Sequence, residues 1–567
     1  MIGRVILALA ASVLPLSASA VDYHLSDCRP GADAACQAGD DAWDGLAPTH
    51  QGGTRGPKRT WAGVKGLVKK GNRFLFAQGG AWDNAGMSIY AAGSVAGDSV
   101  TWDAYLPTWC VNACRNRQPW LRETRPGVNL FNFDDGNYLQ DGGYVVRNLT
   151  LDGGGTGARG IIFEKNVDDV LLEKLTITNF ALYGIHSSQN PESLNVNRWS
   201  NDRITLRDSA LSNNGRAGWI GGGTQLVIEN VSSDRDARDG SQWDHPVYLS
   251  DIRGGVVRGL RITNPTPQPT TGKCGGSAVT LHGVVTDLVF ENIQIVGPQA
   301  GATPHCYGFD VSQGYYDSVR QQEDPNHPNG ESMRHVTIRG ARIANIGYVG
   351  IAVRSCQHCL IENNEIVWTT ATAPGVNGIN TFGGNAPKGL DALNEAITIR
   401  NNSIYLGAPH AVIQQPMGIR YSNEGANHVV TNNLVVFGPG SGRYARCYDL
   451  GDRTLAHFRA WDHNLCHRAD GPAVYSNLFP TLGQAQAAGW DVHGLAADPL
   501  LAQTPAAMVP PRLDLQQASP ALHAGHQVER SLHGAEGRVV WDRRDIGARQ
   551  FGSGLAAPLP PERPRVQ

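Results

Sequence analysis

Gly378-Ile379-Asn380, Ile397-Thr398-Ile399-Arg400-Asn401-Asn402-Ser403-Ile404, Gly418-Ile419-Arg420-Tyr421 and Val429-Val430-Thr431-Asn432-Asn433-Leu434-Val435 follow one another along the chain. Each long copy alternates apolar with polar residues, the period of a half-buried strand and not of a helix. It then reaches an amide where the chain must bend, and asparagine and glycine tolerate the left-handed backbone region that other residues avoid. An apolar pair follows at once. The same pattern stands at 145–151, 170–177, 204–211, 226–231, 256–262, 288–295, 336–343 and 360–366, ten copies in all. Where nothing is inserted they recur roughly every twenty-odd residues, the length of one solenoid coil.

A second short strand precedes many copies: Gly184-Ile185-His186, Gly308-Phe309-Asp310-Val311 and Gly350-Ile351-Ala352-Val353, with Val247-Tyr248-Leu249 and Val279-Thr280-Leu281 in the same place. Two or three strands per coil, stacked in parallel, make an all-β chain: a single-stranded right-handed parallel β-helix solenoid with apolar side chains in its bore. Such a stack needs caps at its ends. Trp61, Val64 and Leu67 have helical spacing, so Thr60 to Lys69 is expected as an N-terminal capping helix. Beyond about residue 475 the repeat ends and Ala, Pro and Leu dominate, as in a closing cap and loose tail. The expected organisation is a leader at 1–20, a cap with first coils at 21–140, the β-helix at 141–475 and the C-terminal cap and tail at 476–567. Insertions near 104–127, 188–201, 265–275, 313–333 and 383–395 are long enough to make a site or a lid.

Arg4, an apolar run from Val5 to Leu16 and Ser17-Ala18-Ser19-Ala20 form a secretory leader expected to be cut after Ala20. No later stretch is long and apolar enough to span a membrane, so a secreted or periplasmic protein is expected, without membrane partners and monomeric. Its ten cysteines suit that compartment. They fall into couples read as disulfides: Cys28–Cys36, Cys110–Cys114, Cys274–Cys306, Cys356–Cys359 and Cys447–Cys466. A formal charge of −3 over 567 residues argues against nucleic acid, which needs a basic stripe.

The coils resemble the pectate-lyase-like superfamily of secreted β-helix proteins. Ala497-Asp498-Pro499-Leu500, Leu513-Asp514-Leu515, Ser519-Pro520-Ala521 and Asp545-Ile546-Gly547-Ala548 are similar to the tail many members carry. The resemblance covers most of the mature chain and implies lyases, hydrolases or epimerases of acidic polysaccharides, working on a groove along one outer face.

Aligning the short strands sets His186, Ile220, Tyr248, Thr280, Asp310, Ala352, Asn380 and Arg420 in one outward column. Ser188, Ser250, His282, Ser312, Arg354 and Ser422 stand two residues on. Coils lie about 4.8 Å apart, so Tyr248, His282, Asp310 and Arg354 would meet within about one sugar. For β-elimination of a uronic-acid polymer, Arg354 would neutralise the carboxylate. His282 or His245 would take the C5 proton and Tyr248 would protonate the leaving oxygen. Asp310 would orient a histidine or hold a metal, and Asp310, His186, Arg420 and Trp219 would touch substrate. Trp102, Trp109, Trp120 and Trp199 lie in or beside insertions, where rings stack on sugars or anchor loops.

Asp234, Asp236 and Asp239 offer oxygens to calcium, Ca2+, which the resemblance implies because many β-helix lyases use it. A solvated corner turn is the competing reading. A glycoside hydrolase on this fold would draw on Asp310, Asp244, Asp251 and Glu164. The column lacks the adjacent aspartates of the polygalacturonase type, and the chain lacks the Asp-Pro-His-Asp signature of alginate epimerases. A non-catalytic carbohydrate-binding or adhesin surface is the remaining alternative.

Overall fold

The computed structural model describes residues 20–549 apart from 91–98, 112, 135–140, 189–199, 299–300, 313–315, 318–321, 324–329, 370–375, 383–390, 408–415, 423–424, 442–443, 504–511 and 527–544. Except for Ala20, the expected leader lies outside the described residues, as does Trp199.

Parallel strands stack coil upon coil on three faces, as a right-handed parallel β-helix. The first face carries the short strands, from Met87–Tyr90 to Val474–Ser476. The second carries the strands before the corner, from Asp22–Leu25 to Phe458–Asp462. The third is a separate sheet of 13 strands, from Ala81–Trp82 to Leu465–Arg468. Two long strands, Ala217–Glu229 and Val247–Arg258, run through both of the first two faces. Their register shifts between Gly221 and Gly223, where a bulge lets the ladder turn.

The corner between the second and third faces is where composition decides geometry. Asn148, Lys174, Asp208, Asn230, Gly259, Asn292, Gly340, Asn363, Asn401 and Asn432 all hold positive φ, one in each of the ten copies. From Arg147 to Arg400 the residues before them alternate in sign from coil to coil, and Arg207–Glu173, Arg258–Glu229, Arg339–Glu291 and Arg400–Glu362 pair at 2.7–3.1 Å. A one-coil slip would set like charges opposite, so this ladder fixes the stacking order.

Inside, the bore is filled by rings near the N-terminus, with Phe74, Trp102, Phe131, Phe133 and Phe163 fully buried, and by β-branched side chains further on, such as Ile343, Ile351 and Ile379. Each such side chain contributes about 1.5–3 kcal/mol on burial. Asn364, Asn402, Asn433 and Asn464 form a buried ladder. Asn364 Oδ1 accepts the Ala341 N–H, and the Oδ1 of Asn402, of Asn433, of Asn464 and finally of Asp491 each accepts the backbone N–H and the amide N–H of the ladder residue one coil back.

The expected capping helix is instead two single 3₁₀ turns, Trp61–Gly63 and Lys65–Leu67, separated at Val64. Gly63 and Gly66 disfavour a continuous helix there, while Trp61 and Val64 still close the bore against Phe74 and Trp102. The described part of the tail is not loose. Arg549 pairs with buried Glu365 at 2.7 and 2.8 Å, and Leu513, Leu515, Ala521 and Ile546 pack on the third face against Val367, Leu434 and Leu465. A cap helix, Leu482–Ala487, starts at a capping box formed by Thr481 and Gln484.

All five expected disulfides form, and no cysteine is free. They fit an oxidising compartment. Among the described residues no helix is long and apolar enough to cross a membrane.

Candidate active site

On the first face, alternation turns one residue per coil outward. Backbone pairing gives the order His186, Ile220, Tyr248, Thr280, Asp310, Ala352, Asn380, Arg420 and Asp449, the expected column with one residue more. Two residues on, Ser250 pairs with His282. Arg354 follows the strand Val349–Val353, and its guanidinium lies over the Phe382 ring at 4.3 Å.

The middle of this wall brings Tyr248, His282 and Asp310 together. The Tyr248 and His282 rings are 5.2 Å apart. The Nδ1–H of His282 donates to the Ser312 carbonyl at 2.7 Å, which in the neutral ring leaves Nε2 as the basic nitrogen. Burial lowers the pKa of His282, while Asp310 and the Ser312 carbonyl oppose that shift. Burial thus favours the neutral imidazole. Below it, the carboxylate of buried Glu331 accepts the Gly283 N–H at 2.6 Å and stands 4.0 Å from His282 Nδ1.

His245 was expected at the rim as an alternative base. It is instead buried and stacked on Tyr248 at 5.7 Å. Burial, and then the nearby His282, push its pKa down to about 3. Buried beneath the wall, the ring packs against Tyr248, and its low basicity suits a proton acceptor poorly.

Three aromatic side chains that the sequence reading did not select complete the wall. Tyr307 faces Tyr348 at 5.6 Å and stacks on Phe382 at 6.5 Å, and it interacts with the charges of Asp310 and Arg354. The readable signal was the tyrosine just before the strand glycine, in Tyr183-Gly184 and Tyr307-Gly308. Several polar atoms of the wall are buried without a hydrogen-bond partner among the described residues: Thr280 Oγ1, Arg354 Nε, His245 Nδ1 and both amide atoms of Asn380. A buried polar group without a partner costs about 1–3 kcal/mol, so a cluster of them marks a place where a ligand's hydroxyls or carboxylate would be favourable.

His186 and Arg420 stand on the same wall but away from its centre. His186 is two coils before Tyr248, its pKa pushed down to about 4 by burial and then by Arg159. Arg420 pairs with Asp449 at 3.5 Å. Trp219 is not at the site at all: it pairs in register with Ile185 and Val247 and fills the bore, one residue out of phase with outward Ile220. Trp102 is likewise in the bore, and Trp109 is buried. Trp120 is half-buried beneath the Arg122 guanidinium.

The three aspartates offered to calcium do not converge. Asp236 is fully buried and ends a short ladder, accepting from Asn214 backbone and amide N–H and from the Ser233 hydroxyl. Asp234 accepts from Thr263 and Asn264 on the next coil. Neither they nor Asp239 belong to the metal-compatible group among the described residues. Of the carboxylates considered for hydrolysis, burial raises Asp251 to about 7 and Asp244 to about 6, and also raises Glu164. The column neighbours of Asp310 are Thr280 and Ala352, so no second carboxylate adjoins it there.

No curated protein matches the chain. Among solved structures it is similar to an alginate lyase from Paenibacillus sp. str. FPU-7, at 11% identity over 68% of this chain and 97% of that one, with a TM-score of 0.34. It is similar to the pectate lyase Pel9A at 10% identity over 94% and 97%, TM-score 0.30. It is also similar to the catalytic domain of a GH87 alpha-1,3-glucanase at 14% identity over 68% and 63%, TM-score 0.41. Residues 329–446 match the family model described as right handed beta helix region, the same architecture that the coil-by-coil pairing builds.

Proposed function

We propose that this protein is a carbohydrate-active enzyme, and within that class a polysaccharide lyase that cleaves a uronic-acid-containing polymer by β-elimination. The observation that carries the reading is an imidazole, His282, oriented through Nδ1 by the Ser312 carbonyl and set 5.2 Å from the Tyr248 ring, on the wall that Arg354 joins through its backbone bond to Val311. Arg354 neutralises the uronate carboxylate and so acidifies C5. His282 Nε2 removes the C5 proton. The electron pair forms the C4–C5 double bond as the C4–O bond breaks, and the Tyr248 hydroxyl gives its proton to the leaving oxygen. Thr280 and Asn380 supply hydrogen bonds to sugar hydroxyls from atoms that have no partner among the described residues. Tyr307 and Phe382 offer rings to the sugar face.

The test is incubation with a panel of uronic-acid and neutral polysaccharides, following ultraviolet absorbance and reducing ends together. New unsaturated ends are expected on a uronic-acid polymer. Reducing ends without absorbance would mean hydrolysis, and neither signal would leave a binding surface. His282→Ala is expected to lower the rate on the order of 100–10,000-fold without unfolding the chain. Tyr248→Phe and Arg354→Ala should each be severely impaired, and full activity in all three would remove this site.

A further inference from the structure

At the last coil the corner column changes residue. Asn363, Asn401 and Asn432 are followed by His463, which keeps the left-handed backbone with φ 58°. Asp462 precedes it, and His493 arrives from the cap. Asp462 Oδ1 accepts the backbone N–H of His463 at 2.8 Å and of His493 at 2.7 Å. Its Oδ2 lies 2.6 Å from His493 Nδ1 and 3.7 Å from His463 Nε2. The two imidazoles are stacked at 4.7 Å and 11°. His463 donates its Nδ1–H to the Ala524 carbonyl at 2.9 Å, so its Nε2 lone pair is the one turned to the carboxylate. A backbone carbonyl on the far nitrogen is the arrangement that orients metal-binding histidines. Among the described residues this is the group of histidine and carboxylate ligand atoms that gathers, all within 4.8 Å of one another.

An ion pair between His493 and Asp462 accounts for one contact only. It leaves unexplained why a second imidazole stacks on the first with its Nε2 turned toward the same carboxylate. We propose that Asp462, His463 and His493 form a site for a divalent transition metal of the zinc class, which fastens the segment around Ala524 to the final coil. Two imidazole nitrogens and one carboxylate oxygen suit zinc, whereas calcium takes oxygens alone. Tetrahedral bonds of about 2.0–2.1 Å would set ligand atoms about 3.3 Å apart. The exposed His493 ring is free to make that small adjustment.

Titration of the full chain, without a polyhistidine tag, with zinc chloride tests this by calorimetry, alongside thermal unfolding with zinc and with chelator. About one zinc per chain is expected, with a higher melting temperature that chelator reverses. Asp462→Asn and His493→Ala should each weaken binding at least tenfold. His463→Asn restores the residue of the preceding coils, so it should fold and lose tight binding. Should it fail to fold, exposed His493 still decides. No saturable binding by the parent chain, or unchanged affinity in the variants, would overturn the proposal.

Discussion

Two sets of amides run through the same coils and are treated in opposite ways. Asn364, Asn402, Asn433 and Asn464 stand at an inner corner, and their side chains bond to the backbone and amides of neighbouring coils. Asn380 stands on the first face, in the strand Asn377–Phe382 that precedes Asn402 in the chain, equally buried, with neither amide atom bonded among the described residues. The chemistry is the same and the surroundings differ. The ladder is finished by the chain itself, while the wall is left incomplete beside His282 and Arg354. Amides of the first kind hold the stack together, and Asn380 keeps hydrogen-bonding capacity that the described residues leave unused.

The comparison breaks most directly at Asn402. Its amide accepts from two groups of Asn364 and donates to the Ile361 and Arg400 carbonyls and to Asn433. Asn402→Ala orphans several buried groups at once, at about 1–3 kcal/mol each before relaxation. A loss of about 3 kcal/mol in urea unfolding is expected. A change under 0.5 kcal/mol would mean that the ladder is decoration.

The lower end of the ladder sharpens the point through pH. Asp491 takes the place of an asparagine, accepting from Asn464 and from the Tyr475 hydroxyl. Burial raises its carboxyl to about 7, against hydrogen bonds that lower it. The folded chain thus holds a proton that the unfolded chain releases near pH 4. This contribution is whole below about pH 4 and fades as pH rises to about 7. Asp491→Asn keeps an acceptor for Asn464 and cannot ionise, so its stability relative to the parent should improve from pH 5 to pH 8. Taking the difference cancels carboxylates with the opposite slope, such as Asp470, whose partner Arg468 holds it near 2. A constant difference would mean that Asp491 is ionised in the fold.

Much of this was legible in the chain because the coil repeats its own grammar. Each corner amide or glycine announced a positive φ, and the outward column followed from counting two residues at a time from the strand glycine. Lys174 reaches the same backbone region without any such signal. Trp219 was misplaced because its size suggested sugar stacking, although its own neighbour Ile220 had already been set outward. His245 and Asp236 were misjudged because exposure depends on what the next coil packs over a residue, and that is not written locally. The tyrosines before the strand glycines escaped because they lie just outside the alternating pattern that was being counted.

The smallest expected effect is the most discriminating. Asn380→Ala removes two buried polar atoms that bond to none of the described residues, so the loss of packing is set against relief of an unmet desolvation cost. The net change in stability should stay within about 0.5 kcal/mol, where the same change at Asn402 costs several times more. If Asn380 meets substrate hydroxyls, the variant keeps its fold and raises KM while His282, untouched, preserves most of kcat. A loss of stability matching that at Asn402 would show that Asn380 is satisfied within the folded chain. The wall would then be another structural ladder, and the argument for a ligand beside Thr280 and Arg354 would lose its footing.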